Sequence, residues 1–135
     1  EFGRERLSMD ETTVLLKEIT STQYGKEKEF IFTVSPIRHF KDGAHGNQLS
    51  KSGLLLGIDS IIGDGIDYFP AYEIVMDELR DYRFYAEDMC HPSQQAVDYI
   101  RERFLGWALS AEEWPRLEEN IRRFRQSCHR SLSTL

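Results

Sequence analysis

Phe30-Ile31-Phe32-Thr33-Val34 is an unbroken run of aromatic and β-branched residues. With no polar residue alternating through it, the run predicts a strand covered on both faces, as in a parallel sheet. Pro36 stops it. The next segment, Ser35 to Asn47 (SPIRHFKDGAHGN), is long, holds Gly43 and Gly46 and carries His39 and His45. It reads as a loop at the carboxyl end of the strand, which is where ligand sites gather in open α/β sheets. From about Asn47 a helix is predicted to Ile62, through Leu49, Leu54, Leu55, Leu56, Ile58, Ile61 and Ile62. Its second half is apolar nearly all round, which predicts deep packing. Gly63-Asp64-Gly65 ends it. A second strand is predicted at Ala71 to Met76, after Pro70. Strand, helix and strand then form one right-handed βαβ crossover.

Upstream, Ser8-Met9-Asp10-Glu11 has the capping-box pattern, in which a Ser hydroxyl and a Glu carboxylate satisfy each other's backbone amides. A helix from about Ser8 to Thr22 follows, with Leu15, Leu16 and Ile19 as its apolar stripe. Gly25 and the run Lys26-Glu27-Lys28-Glu29 predict a solvated turn with no function. Downstream, Asp77 to Cys90 mixes aromatic and charged residues and reads as mostly irregular. Pro92 suits the first position of a helix, where its missing N–H costs nothing. That helix runs to about Ala108 with Val97, Ile100, Phe104 and Trp107 on one face. Ser110 to Glu113 is a second capping box, with Leu109 placed to staple onto Trp114. Pro115 predicts a kink or a late helix start. Beyond it, Leu117, Ile121, Phe124 and Cys128 continue an apolar stripe. Arg116, Arg122, Arg123, Arg125 and Arg130 lie opposite, offset by Glu112, Glu113, Glu118 and Glu119, and read as a solvated face. With neither internal repeat nor linker, residues 1–135 are expected to form a single domain.

Composition narrows the function classes. A chain of 135 residues that is 40% apolar and 30% charged suits a globular domain burying roughly two-thirds of its unfolded surface. Its net charge of −6 supplies no positive field to recruit phosphate, which argues against a nucleic-acid partner. No apolar run approaches the ~18 residues that a membrane span requires. The opening EFGRERLSMDE has no apolar core of a signal peptide. That leaves the compartment unassigned, cytoplasmic by default. Cys90 and Cys128 are too few for a disulfide framework. His39 and His45, with only Asp42 nearby, match no metal-ligand spacing. No metal and no cofactor are expected.

Chemistry concentrates in Arg83 to Ser93, RFYAEDMCHPS, where Asp88 and His91 stand three residues apart. One turn brings such a carboxylate and imidazole into hydrogen-bond reach, the His as general base and the Asp fixing its tautomer. Taken alone the pattern is weak, since this composition gives ~0.3 D-x-x-H by chance. The plain reading is that His91 is a helix-entry residue bonded to a local carboxylate. Cys90 reads as an apolar spacer. Arg38 and His39, at the strand end, are candidates for lining a substrate mouth.

Larger blocks carry a family signal. Phe32 to His39 (FTVSPIRH), Lys41 to Gly43, Asn47 to Lys51 (NQLSK), Tyr68 to Ile74 (YFPAYEI), Asp77 to Asp88 (DELRDYRFYAED) and His91 to Ser93 together resemble the GSCFA-domain family. The resemblance runs from about Ser8 to Phe104. It implies a branch of the SGNH/GDSL hydrolases and a partial flavodoxin-like α/β/α fold, a short parallel sheet flanked by helices. By resemblance, His91 is the general base and Asp88 its orienting partner. The G-S-C-F-A motif, whose Ser is the family's expected nucleophile, does not occur in these 135 residues, nor does an early Gly-Asp-Ser. The chain is therefore expected to be the C-terminal part of a GSCFA domain, inert or nearly so by itself. Ser35 lacks the G-x-S-x-G elbow, and Ser93 is better explained as a helix-start residue. The whole protein is expected to be a serine esterase or acyl hydrolase acting on a small ester, an acylated saccharide by superfamily analogy. The alternative is a non-catalytic structural or interaction module in which Asp88 and His91 brace a loop. The flank of a parallel sheet cut in this way also invites pairing with a second copy or with the absent N-terminal half.

Overall fold

In the computed structural model, residues 5–22 and 28–131 are described, side chains to Cys128. The chain divides into two compact units, one up to Ile100 and one from Arg101. The first opens with helix α1, Met9–Ser21. Its capping box is complete: Ser8 Oγ accepts from the Glu11 amide, and the Glu11 carboxylate accepts from the Ser8 amide at 2.8 Å. The inward face of α1 is not the expected stripe. Thr12 is buried and Leu16 half-buried, while Leu15 and Ile19 are exposed. The expected turn at Gly25 to Glu29 lies largely outside the described residues, and Lys28 and Glu29 are exposed.

Strand β1, Phe30–Phe32, pairs in parallel with β2, Ile66–Tyr68, in the register Phe30↔Ile66, Ile31↔Asp67, Phe32↔Tyr68. Between them runs α2, Gly43–Asp59, preceded by a 3-10 turn at Phe40–Asp42. The parallel β–α–β crossover is therefore present and the fold is mixed α/β, although four of its expected details change. First, β1 is not covered on both faces: Phe30 and Phe32 are half-buried, and Ile31, on the opposite side of the pleat, is 47% exposed. Second, α2 begins four residues early, so His45 sits in its first turn and the loop shortens to Ser35–His39. Third, α2 is not buried all round. Lys51, Gly57 and Ile58 are buried, while Leu49, Leu54 and Leu56 face out.

The second strand lies at Ile66–Tyr68, not at Ala71–Met76. Residues 71–79 are helical instead: α3, Ala71–Glu73, runs on as a π-helix through Leu79. Buried Ala71, Val75 and Leu79 recur every four residues, which is helical spacing. Pro70 stands just before α3, where a missing amide costs nothing. The core gathers around Val34, Ile58 and Tyr72, with Leu16, Phe32, Leu55 and Tyr68 packed against them. Helix α1 closes on α2 at Gly57, whose missing side chain leaves room for Thr12 and Leu16. A hydroxyl pair, Thr13 to Ser60 at 3.2 Å, also spans the contact.

Helix α4 spans Gln94–Ala108. Pro92 is not its first residue. It bridges Tyr85, and Ser93 caps the helix by accepting from the Ala96 amide. Ala96 is fully buried, whereas Val97 of the expected face is exposed. In the second unit, Phe104 and Trp107 lie 6.1 Å apart, centroid to centroid. Glu113 accepts from the Ser110 amide and hydroxyl. Helix α5 starts late, at Trp114, and runs to Ser131 with Pro115 in its first turn. Glu119 and Arg123 pair along it, and Phe124 projects into solvent, 68% exposed. Among the described residues no helix is long and apolar enough to cross a membrane.

Candidate functional site

Residues 84–93 fold back on themselves. The Ser93 amide donates to Phe84 O and the Ala86 amide to His91 O, both at 2.8 Å, and the Met89 amide closes a tight turn onto Ala86 O. Met89 takes the left-handed conformation, φ 57°, which costs a residue with a Cβ about 1–2 kcal/mol. Asp88 offsets that cost with three bonds. Its Oδ1 accepts from the amides of Cys90 (2.9 Å) and His91 (3.0 Å), and its Oδ2 lies 2.6 Å from His91 Nδ1. The imidazole bond, then the two amide bonds, hold the Asp88 carboxyl down at about 2.

That ionised carboxylate can only accept, so Nδ1 must carry the proton of the short bond. Nε2 has no hydrogen-bond partner among the described residues, on a side chain that stays more than half exposed. This tautomer is the one a proton-accepting imidazole requires.

The turn is tied to the residues that leave β1. The Arg38 amide donates to Cys90 O (3.1 Å), Cys90 Sγ to Arg38 O (2.7 Å), and Arg38 Nη1 to Met89 O (3.1 Å). Cys90 is thus a bonded partner, not an apolar spacer. The Arg38 guanidinium lies against the rings of Phe40 and Tyr85, 5.0 and 5.4 Å from their centroids, a favourable cation–π geometry. In this way the D-x-x-H block comes to the carboxyl side of β1.

Beside it opens a cleft of about 400 Å³. Arg38 and His39 line it; Asp88, His91 and His45 do not. The His39 amide donates to Asn47 Oδ1 at 2.9 Å. Ser35 Oγ accepts from the Ile37 amide and Ser93 Oγ from the Ala96 amide. Both hydroxyls thus serve turns, and among the described residues neither bonds His91. Nor do any three His, Cys, Asp or Glu side chains converge there.

Sequence reading missed a buried cation next to Tyr72 of the cleft lining. Lys51 is 3% exposed, and its ammonium donates to Ser35 O and faces the Tyr72 ring at 6.0 Å. Burial pushes its pKa down, against the pull of Cys90. The signal was present: Lys51, Leu55 and Ile58 share one helical face, so a lysine occupies a core position. Tyr72, whose hydroxyl donates to Gln48 at 2.9 Å, and the cleft residues Arg80, Tyr82 and Tyr85 were also missed, because they sit in a segment read as strand and irregular chain.

Comparison with known proteins agrees with the resemblance noted above. No curated protein and no solved structure matches the chain. The model of the GSCFA family matches residues 1–104, the stretch holding the crossover, the cleft and the Asp88–His91 turn, and the chain belongs to that family.

Proposed function

We propose that Asp88 and His91 are the acid–base pair of an SGNH-type serine ester hydrolase, whose nucleophilic Ser belongs to the family motif that these 135 residues do not contain. On this reading the chain is the C-terminal portion of the catalytic domain. The carrying observation is the 2.6 Å Nδ1–Oδ2 bond on an exposed turn, with Nε2 given no hydrogen-bond partner among the described residues. In the reaction His91 Nε2 takes the proton of the attacking Ser hydroxyl as its oxygen bonds the ester carbonyl. It gives that proton to the departing alkoxide, leaving an acyl-enzyme and free alcohol. Water, deprotonated by the same nitrogen, then releases the acid. Asp88 stays ionised throughout and steadies the imidazolium. Arg38 and His39 contact the substrate, a small ester such as an acylated saccharide.

The test is hydrolysis of p-nitrophenyl acetate by the longer reading frame, compared with its His91→Ala variant. Loss of turnover supports the assignment; equal turnover ends it. A second reading, a module in which the pair only braces a loop, is favoured by Asp88 also bonding two backbone amides and by the cleft lining leaving out His91. It expects His91→Ala to lower stability with no activity to lose.

A further inference from the structure

We infer that the cleft beside Arg38 binds an anionic saccharide, a sugar ring bearing a carboxylate or a phosphate. As the alcohol half of a substrate this ligand rests on the esterase reading; as a ligand it does not. The cleft is rich in donors, and two of its side-chain acceptors are already taken. Asn47 Oδ1 is taken by the His39 amide and Gln48 Oε1 by the Tyr72 hydroxyl, which leaves the NH₂ groups of both amides to donate. Arg80 lines the cleft with no carboxylate partner among the described residues, and Arg38 spends one N–H on a neutral carbonyl, so its charge is not cancelled. The lining carboxylate, Asp81, is turned to Arg83, accepting from its amide at 2.9 Å with Nε at 3.9 Å. The lining thus sets two guanidiniums against one carboxylate, a local excess of positive charge in a chain of net charge −6.

Flat apolar faces complete it. Tyr82 lines the cleft and is 68% exposed, as a ring-stacking platform must be, while the Phe40 ring, 55% exposed, carries the Arg38 guanidinium against it. Its volume of about 400 Å³ falls in the small-ligand range of ~300–1,000 Å³. An acyl chain would leave these donors unpaired, at a cost of ~1–3 kcal/mol each. A neutral sugar would satisfy the amides and leave the guanidiniums unmatched.

The experiment titrates the ¹⁵N-labelled chain with three probes sharing one aglycone: 4-nitrophenyl β-D-glucoside, its 6-phosphate and 4-nitrophenyl β-D-glucuronide. The expected result is amide shifts at His39, Arg80 and Tyr82, with one anionic probe binding about tenfold or more tighter than the neutral glucoside, as one charge-assisted contact confers. The tighter of the two names the anion. Arg80→Gln, an exposed change whose fold is checked by circular dichroism, should cut that advantage, read as the ratio of anionic to neutral binding. Equal binding of all three probes, shifts confined to residues outside the cleft, or no binding in the millimolar range overturns the inference. Binding without esterase activity in the longer frame would sink the esterase reading alone, and hydrolysis without anion preference would sink this one alone.

Discussion

Lys51 offers the sharpest test of how the site is held. Its ammonium donates to Ser35 O, the carbonyl at the head of the loop that carries Arg38 and His39, and its stem lies buried between α2 and the core. Lys51→Met keeps the stem and deletes the amine. The Ser35 carbonyl is then left unpaired, a loss of ~1–3 kcal/mol, offset in part because a buried charge no longer has to be desolvated. A net loss of about 1 kcal/mol is expected. Lys51→Ala also removes roughly three methylene equivalents at ~0.8 kcal/mol each, so it should lie a further ~2–3 kcal/mol lower once the residual cavity is counted. Urea unfolding by linear extrapolation measures both, and the amide shifts of Ile37 to His39 should move in each variant. The pH dependence has a fixed sign. Burial lowers the Lys51 pKa from 10.5, so the unfolded chain holds the proton more tightly, and wild type should gain on Lys51→Met as pH rises from the lowered value towards 10.5. If Lys51→Met proves as stable as wild type with loop shifts unmoved, the amine does not anchor the loop and the account of the site's foundation is wrong.

Four further outcomes are expected. Gly57→Ala gains about 1 kcal/mol of helix propensity but puts a Cβ 2.9 Å from Thr12 Cγ2; overpacking of ~1–3 kcal/mol makes the net change a loss of about 1, read by thermal unfolding. Met89→Gly relieves the left-handed backbone at φ 57° against the added flexibility of the unfolded chain, for a gain of about 0.5 kcal/mol, read in the same way. Asp88→Asn offers Nδ1 an N–H in place of an acceptor, so ¹⁵N spectra should show the His91 proton moving to Nε2, and esterase turnover of the longer frame should fall on the order of 10⁴-fold. The Asp88 carboxyl, drawn down from 3.8 to about 2, stabilises the turn above the ordinary carboxylate range; the Cys90 and His91 amide shifts should hold through pH 4 and change only as pH falls towards about 2.

Much of the frame is legible in the sequence because its signals are local. Ser8 with Glu11 marks a helix start by short-range hydrogen bonds that need no tertiary context. Asp88 and His91 are bonded across one turn for the same reason. Helix α5, by contrast, starts only at Trp114, beyond the Ser110–Glu113 pair. What misled was periodicity in short apolar runs. Ala71 to Met76 is apolar enough for a strand, yet Ala71, Val75 and Leu79 repeat at helical spacing, and six residues cannot separate the two patterns. Ile66-Asp67-Tyr68 alternates like a strand but is only three residues long. Burial was misjudged where apolar residues crowd one helix: Leu54 and Leu56 are exposed because the described core of α2 faces α1 and β1 along Lys51, Leu55 and Ile58. Of the cleft, only Arg38 and His39 at the strand end were readable, since Gln48, Tyr72 and Arg80 join them only after α2 and α3 have packed.

With strands of only three residues, the sheet cannot by itself set the position of an imidazole. The Asp88–His91 turn is fixed instead by cross-loop bonds: two between the Arg38 and Cys90 backbones and thiol, one from the Arg38 guanidinium to Met89 O. Each contributes a net ~0.5–1.5 kcal/mol, and the side chains they orient are half exposed. These bonds hold turn 84–93 with about 2–5 kcal/mol, less than it costs to unfold the Val34–Ile58–Tyr72 core. Arg38 is common to both regions, lining the cleft with its guanidinium and clasping the turn with its backbone and Nη1. The other N–H groups of that guanidinium can meet a ligand while Nη1 keeps Met89 O, so one side chain serves both the cleft and the turn.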